Sequence, residues 1–181
     1  MNRDIPVFSR PFYFLRHGET ATNAAGLLTG SLDVHLTPRG RAQAAVAAEA
    51  LAAEPITAIY MSPMLRARHT AEPVAARLNV PLHILDDLAE RRWGVLEGRP
   101  RDLRRRGITP EGAETLDAFT ERVLRAFARM EEPVPLIVAH SGVFRVLCRT
   151  LRIEDSETPV TNALPLRFVP LSAHAWRLEE P

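Results

Sequence analysis

Short apolar runs alternate with amphipathic segments along this chain. The runs predict β-strands over residues 12–15, 56–61, 80–85, 134–139, 163–169 and 173–178. The run at 134–139 is the most apolar, whereas the run at 80–85 has the weaker character of an edge strand. Pro133 and Pro135 fit this reading only at the beginning of a strand, because proline has no N–H to donate to a sheet.

Helices are predicted from N-terminal caps and from apolar spacings of three and four residues. Thr37 followed by Pro38 is typical of a helix start, and the alanine-rich segment after it extends to about Ala53. Ser62 followed by Pro63 repeats that pattern. Apolar side chains then recur at helical spacing at Ala67, Ala71, Val74 and Leu78, again at Leu116, Phe119, Val123, Phe127 and Met130, and a last helix covers 142–151.

Residues 86–109 have weak periodicity and several helix breakers, so we expect a loop there with at most one short helix. Elsewhere strands alternate with helices, which favours an α/β fold: a three-layer α/β/α sandwich around a mainly parallel, mixed sheet. The chain has no repeat or low-complexity linker. We therefore expect residues 1–181 to form a single domain.

Composition narrows the possible chemistry. All 23 basic residues are arginine, so mechanisms that need a lysine amine are excluded, among them Schiff bases, Walker-A loops and kinase active sites. Arginine is also better than lysine at forming bidentate hydrogen bonds to phosphate or carboxylate. The net charge is only +1, which by itself predicts binding neither to nucleic acid nor to a membrane.

Cysteine usage and hydropathy suggest a location. Cys148 is the single cysteine, so an internal disulfide and a multi-cysteine zinc site are excluded, and we expect a reducing, cytoplasmic compartment. Residues 1–10 lack the apolar stretch of a secretory signal. No apolar run approaches the ~20 residues that a membrane span needs.

Two predicted strands end at a histidine that a glycine closely follows. His17 comes directly after the first strand, with Arg16 before it and Gly18 after it. His140 ends the fourth strand, two residues before Gly142. Ligands of open α/β sheets gather at the carboxyl ends of strands, and glycine turns that open toward a helix suit anions. Both histidines are therefore candidates for an anion site.

These segments and several others resemble the histidine phosphatase superfamily, which includes the phosphoglycerate mutases. The ordered matches are Leu15 to Thr20 with Asn23, Thr29-Gly30, Ser62 to Ala67 with Thr70-Ala71, Leu88 to Glu90, Gly94 to Gly98, Gly112 to Thr115, Val138 to Gly142, and Asn162. Together they cover roughly residues 12 to 169. The resemblance implies a phosphoglycerate mutase-like fold with a short active-site cover at about 98–112.

The resemblance also implies a role for each site residue. His17 would attack phosphorus and become a phosphohistidine, a task suited to an imidazole with an ordinary pKa of about 6.5. Arg16, Arg66 and His140 would hold the phosphoryl group and stabilise its charge during transfer. Glu90 would be the general acid, which gives a proton to the leaving oxygen and later takes one from water.

Neutral contacts to the substrate would come from short polar residues and glycines near these groups: Gly18, Asn23, Thr29, Gly30, Ser141 and Gly142. The implied chemistry requires no metal and no cofactor, and the ligand is a small phosphorylated substrate. Glu19 is a rival acid because it lies two residues from His17, although the family pattern favours a structural role for it. Arg68 is expected to be a solvated helix residue.

Two other kinds of site compete with this one. Ser141 could be the nucleophile of a hydrolase elbow, but that motif needs glycine where Ala139 and Val143 stand. Such a hydrolase would also need an acid and a histidine in the last 40 residues, where Asp155 and His174 occur. The sequence from His17 to Glu19 mimics part of a zinc deaminase motif, but the paired cysteines of that site are absent.

Three interpretations remain open for a run of arginines in the predicted cover, namely Arg99, Arg101, Arg104, Arg105 and Arg106. The run could be a solvated surface, a nucleic-acid patch, or a set that receives a second negative group of the substrate. Aromatic residues do not interleave with these arginines, which disfavours binding of single strands.

The resemblance leaves phosphatase and mutase activities to be distinguished. Mutases of the family carry a long insertion between the acid and the second histidine, whereas the corresponding segment here is short. A small cover would leave a phosphohistidine open to water, so we favour hydrolysis. The remaining alternatives are mutase-type phosphoryl transfer and a non-catalytic phosphate-binding scaffold. Retention of all five proposed catalytic residues argues against the scaffold.

Overall fold

A six-stranded mixed sheet forms the centre of the molecule. The computed structural model describes residues 5–105, 107–153, 160–172 and 175–181. Its strands are β1 (Phe12–Arg16), β2 (Ala58–Met61), β3 (Leu82–Ile84), β4 (Pro135–Ala139), β5 (Pro165–Ser172) and β6 (Ala175–Glu179), in the order β3-β2-β4-β1-β5-β6. The first four run parallel and the last two antiparallel to their neighbours, so the expectation of a mainly parallel, mixed sheet is confirmed.

Five α-helices connect and cover the described strands: α1 (Ala21–Ala24), α2 (Pro38–Ala50), α3 (Leu65–Leu78), α4 (Leu116–Ala128) and α5 (Ser141–Thr150). Short 3₁₀ helices lie at Pro6–Ser9, Asp86–Leu88, Gly94–Leu96 and Arg101–Leu103. None of the helices in this described part combines the length and apolar character needed to cross a bilayer.

Alternation of side chains along each strand divides the core into two layers. Phe12 and Phe14 of β1 pack with the apolar faces of α4 and α5, whereas Tyr13 and Leu15 pack with α2 and α3. Successive side chains of a strand point to opposite faces, so one short apolar run serves both layers. The expected three-layer sandwich follows from this arrangement.

The only cysteine of the sequence lies inside one of these layers. Cys148 is buried among apolar side chains on α5, and burial raises the pKa of its thiol to about 12. The group therefore stays protonated and inert at neutral pH.

Several predicted boundaries are corrected by the structure. The Thr37 cap is confirmed, since its hydroxyl accepts the N–H of Gly40, but α2 ends at Ala50 and not near Ala53. Ser62 does not cap α3, because that helix begins at Leu65 and its N-cap residue makes no side-chain cap bond. The expected loop at 86–109 contains three 3₁₀ turns, and α1 was not predicted.

The carboxyl ends of the parallel strands lie at one edge of the sheet and bring the candidate residues together. His17 follows β1, Ser62 follows β2, and His140 follows β4, which is the strand between them. The backbone N–H of His17 donates to the carbonyl of Ala139 at 2.9 Å, so the ladder continues as far as the first histidine. The site is thus assembled from segments more than a hundred residues apart.

Candidate active site

One ring nitrogen of His17 is engaged, and the other has no hydrogen-bond partner among the residues that the structure describes. The ring is 4% exposed, and its Nδ1 lies 2.8 Å from the carbonyl oxygen of Gly18. A carbonyl only accepts hydrogen bonds, so Nδ1 carries the proton, and the lone pair of the neutral ring is on Nε2. Asn162 fixes the backbone here by donating from Nδ2 to the His17 carbonyl at 2.8 Å. This arrangement presents Nε2 as a nucleophile.

Electrostatics keep the His17 ring unprotonated. Burial, followed by the positive charges of Arg66 and Arg16, lowers the pKa of His17 well below 6.5. Only the hydrogen bond to Gly18 acts in the opposite direction. A neutral imidazole at physiological pH is the form that can attack phosphorus.

Two arginines place buried positive charge beside His17. Arg66 on α3 is fully buried and donates to the carbonyls of Leu32 at 2.8 Å and Gly30 at 2.9 Å. Arg16 donates to the carbonyl of Val160 at 2.7 Å, and burial lowers its pKa to about 10, so it remains cationic. In both arginines the Nε atom is buried and has no partner among the described residues. Each therefore retains a donor for an anion.

His140 lies beside His17 and is neutral. Its ring is fully buried, with its centroid 5.2 Å from that of His17. Nε2 lies 2.7 Å from the Ser62 hydroxyl, whereas Nδ1 is buried without a partner in the described part of the chain. Burial, followed by the charge of Arg66, lowers the pKa of His140 well below 6.5. Ser62 was predicted as a helix cap, and its use by His140 is a contact that the sequence did not reveal.

Glu90 occupies the N-terminus of α5. Its Oε2 accepts the backbone N–H of Gly142 at 3.1 Å and the hydroxyl of Ser141 at 3.4 Å, while Oε1 accepts the N–H of Arg91 at 2.8 Å. Ser141 and Gly142 were predicted to contact the substrate, but in this structure they contact the acid. A Cβ at Gly142 would lie 2.1 Å from Glu90 Oε1, so this approach depends on glycine.

An arginine that sequence reasoning missed holds the loop of the acid. Arg122 on α4 donates to the carbonyls of Asp87, Ala89 and Glu90 at 2.7–3.1 Å. It also forms two hydrogen bonds of 2.7 and 2.8 Å with the Glu114 carboxylate. The arginine and glutamate side chains are only 15% and 11% exposed. The available signal was Glu114 within the family-like 112–115 element, since a buried acid requires a basic partner.

Of the residues predicted to contact substrate through neutral groups, some are already hydrogen-bonded within the protein and one lies beside the His17 backbone. Gly18 gives its N–H to the hydroxyl of Thr70 at 2.9 Å, so that donor is already engaged. Thr29 bonds Thr22 at 2.6 Å, and the Gly30 carbonyl accepts from Arg66. The polar groups named here are thus bonded to other groups of the protein. Asn23 is half-buried, and its Oδ1 contacts the amide of Asn162 at 3.3 Å, which places it beside the His17 backbone.

Glu19 has structural partners. Its Oε1 accepts the Thr37 hydroxyl at 2.9 Å, and Oε2 lies 3.3 Å from Arg39. These bonds tie the turn after β1 to the start of α2.

A cavity of about 330 Å³ adjoins Glu90, with Met64 and Arg92 among its walls. Its other walls include Ser31, Glu114 and Arg122.

The predicted cover folds against the loop that precedes α2. Arg101 donates its backbone N–H to the Gly26 carbonyl at 3.0 Å, and Leu27 and Pro100 form an isolated β-bridge. Four arginines of the run, Arg99, Arg101, Arg104 and Arg105, are exposed, whereas Arg106 lies outside the described residues. Arg104 and Arg91 lie over the ring of Trp93, at 5.4 and 4.5 Å from its centroid. A cation–π pair of this kind is one use of these arginines.

Ser141 is the nucleophile of the alternative hydrolase site. Its hydroxyl faces the Glu90 carboxylate, and Asp155 and His174, the partners that such a hydrolase would need, lie outside the described residues. Within the described part of the chain, no group of three or more histidine, cysteine, aspartate or glutamate side chains is arranged to hold a metal ion.

Comparison with known proteins identifies the family of this chain. The sequence model of the histidine phosphatase superfamily (branch 1) matches residues 12–165. The chain belongs to the histidine phosphatase superfamily. That match begins with β1 and ends at the first residue of β5, so it includes every candidate catalytic residue.

Named relatives within the histidine phosphatase superfamily include phosphatases. The uncharacterized phosphatase PhoE of Bacillus subtilis is 31% identical over 177 residues, which cover 92% of this chain and 91% of that protein. The adenosylcobalamin/alpha-ribazole phosphatase of Salmonella typhimurium is 35% identical over 157 residues, covering 77% and 78%. The chain also matches an agropine synthesis reductase of Rhizobium rhizogenes at 33% identity, but spans only 40% of its length.

Solved structures of similar fold include TTHB049 from Thermus thermophilus. It is 31% identical, has a TM-score of 0.74, and the match covers 87% of this chain and 92% of that one. Mycobacterial hydrolase 1 is 25% identical with a TM-score of 0.77, covering 94% and 97%. The three-layer fold of this histidine phosphatase superfamily member is therefore shared over nearly its full length.

Proposed function

We propose that this protein hydrolyses phosphate monoesters of small metabolites through a phosphohistidine at His17, without a metal ion. One observation carries the proposal. Three buried donor atoms lack partners in the described residues near a neutral His17, namely Nε of Arg16, Nε of Arg66 and Nδ1 of His140. Buried donors are nearly always hydrogen-bonded. Arg16 and Arg66 are near enough to lower the pKa of His17, and the His140 ring lies beside it, so this group of donors suits an anion with several oxygens. The names of the phosphatase relatives support the same activity.

The first step is transfer of the phosphoryl group to the enzyme. Nε2 of His17 forms a bond to phosphorus as the bond from phosphorus to the ester oxygen breaks. Glu90 gives its proton to that oxygen, so an alcohol leaves. Arg16 and Arg66 stabilise the charge on the phosphoryl oxygens, which is the main contribution a protein can make to this reaction.

The second step returns the enzyme to its initial state. Glu90, now a carboxylate, takes a proton from water, and the oxygen of that water bonds to phosphorus as the bond to Nε2 breaks. Inorganic phosphate leaves and Glu90 is again protonated. The N–H of Gly142 and the hydroxyl of Ser141 stabilise the carboxylate form between the two steps. Only water is consumed.

Hydrolysis is favoured over transfer to a second alcohol by the small cover. Residues 98–112 contain only one short 3₁₀ turn among those described, and their exposed side chains include Leu103 and Ile108. A mutase must exclude water from its phosphohistidine, which this segment is poorly built to do. The open cavity beside Glu90 also admits water to the acid.

The proposal is tested with a panel of phosphate monoesters assayed with and without EDTA. We expect release of inorganic phosphate that EDTA does not reduce. Loss of all activity in EDTA would refute the metal-free mechanism, and inertness toward every ester would favour the scaffold. Movement of phosphate between the carbons of 3-phosphoglycerate, without its release, would favour the mutase.

The intermediate is tested by mixing the enzyme with a radiolabelled ester and quenching. We expect label that is stable in alkali and lost in acid, as phosphohistidine is. His17→Ala should carry no label, whereas the matched control His35→Ala, which changes an exposed histidine stacked on His69, should be labelled normally. Label that persists in His17→Ala would identify a different nucleophile.

A further inference from the structure

The second site histidine contacts a serine to which the proposed mechanism assigns no role. Ser62 follows β2 directly and is fully buried, and its hydroxyl oxygen lies 2.7 Å from Nε2 of His140. Either group could be the donor on distance alone. The other contacts of the two side chains decide which one is.

The hydroxyl of Ser62 already accepts one hydrogen bond. The backbone N–H of Met64 points to this oxygen at 3.3 Å, and an N–H can only donate. The hydroxyl hydrogen therefore needs an acceptor, and among the described residues Nε2 of His140 is the one within reach. Were the proton on Nε2, the serine hydrogen would be buried without an acceptor, which folded proteins rarely tolerate.

A neutral His140 with an acceptor at Nε2 must carry its proton on Nδ1. Burial and the nearby arginine charges keep the ring neutral, because they lower the pKa of His140 well below 6.5. Nδ1 is the buried atom that has no partner in the described part of the chain. The tautomer chosen at Nε2 thus determines whether Nδ1 offers a hydrogen or a lone pair to an anion.

We propose that Ser62 is a positioning residue: its hydroxyl fixes His140 as the Nδ1–H tautomer, so that a neutral imidazole donates to the transferring phosphoryl group. The catalytic part of this statement rests on the proposed function. The opposite tautomer would direct a lone pair at the phosphoryl oxygens and repel them. Ser62 therefore acts through His140 and does not touch the substrate.

The tautomer is measured by NMR of ¹⁵N-labelled imidazole nitrogens in the protein without substrate. The His140 signals are identified by their loss in His140→Gln. In the wild type we expect Nδ1 protonated and Nε2 in the unprotonated, acceptor form. Ser62→Ala should populate the other tautomer, and Ser62→Thr, which keeps the hydroxyl, should restore the wild-type pattern. A wild-type His140 protonated at Nε2 would overturn the proposal whatever the variants do.

Binding of inorganic phosphate, followed by calorimetry, gives a second readout. Ser62→Ala should weaken binding by up to about tenfold, the factor that one neutral hydrogen bond supplies. Ser62→Thr should recover it. Thr57→Ala is the matched control, because it removes a hydroxyl bonded to Val134 at the other end of β2 and should leave both the tautomer and the binding unchanged.

These measurements separate failure of this inference from failure of the proposed function. Neither requires turnover, so a protein that is inert toward every ester still reports its tautomer and its phosphate affinity. If Ser62→Ala changes neither of them, Ser62 is not the residue that positions His140.

Discussion

Replacing Gly142 by alanine tests whether the general-acid role of Glu90 depends on the position of its carboxyl group at the start of α5. The new Cβ would lie 2.1 Å from Oε1 of Glu90 and 3.0 Å from Cζ of Phe119. Real Cβ atoms do not approach so closely. The Glu90 oxygen is the end of a flexible side chain, so we expect the carboxylate to swing away and lose the Gly142 N–H.

The substitution should lower both the stability and the rate. Overpacking at such a site costs about 1–3 kcal/mol at most, and alanine recovers up to about 1 kcal/mol by its higher helix propensity. The net loss of stability should therefore stay within about 3 kcal/mol, a fall in Tm of at most about 12 °C for a chain of this size. A misplaced general acid lowers the rate by about 10²–10⁴-fold.

The assay compares kcat/KM for alkyl phosphates, which need a proton on the leaving oxygen, with p-nitrophenyl phosphate, which hardly does. Gly142→Ala should slow the alkyl esters by at least about a hundredfold more. Ser9→Ala, the control, removes a hydroxyl that bonds to the Pro6 carbonyl in the first 3₁₀ turn, away from the site, and should slow neither ester class. Equal slowing of both ester classes by Gly142→Ala would refute the assignment of Glu90 as the acid.

Three further predictions concern stability. Arg122→Met should lower the free energy of unfolding by about 3–5 kcal/mol in urea titrations, since it leaves a buried carboxylate unpaired, whereas Arg125→Met on the same helix breaks an exposed pair and should cost under about 1 kcal/mol. The free energy of unfolding should decrease as the pH drops below about 6.5, because His17 and His140 take up protons in the unfolded chain but stay neutral in the folded one. His140→Gln should make this dependence of stability on pH less steep, as measured by thermal melts at several pH values. Gly18→Ala would place Cβ 2.4 Å from the Gly40 carbonyl oxygen, and because backbone cannot swing aside, its melting temperature should fall more than that of Gly142→Ala.

The strands were predictable because buried strands appear in the sequence as short runs of apolar residues. β1 and β4 are buried on both faces, so they read as continuous apolar runs, and the histidines that end them are conspicuous. The family-like segments predicted that His17, Arg66 and Glu90 lie near one another, and in the fold Arg66 is close enough to both to interact electrostatically with them. Local rules combined with the resemblance were sufficient for this proximity.

Other features depend on contacts that no local pattern records. Ser62 satisfies the capping rule as well as Thr37 does, yet its hydroxyl is used by a histidine 78 residues later. Arg122 donates to backbone carbonyls of the loop that carries Glu90. Every residue has a backbone carbonyl, so the sequence of that loop gives no sign of this contact. Gly142 was expected to contact substrate, because a helix N-terminus suits an anion, whereas here its N–H donates to the carboxyl group of Glu90.

The buried thiol of Cys148 has a practical consequence for studying this protein in solution. Because that thiol stays protonated and the sequence has no second cysteine and no lysine, reagents directed at thiols or side-chain amines meet no reactive side chain on the native fold. A cysteine introduced at exposed Arg104 would then be the single site for a fluorescent or spin label. Movement of the cover during turnover could be followed from that one position.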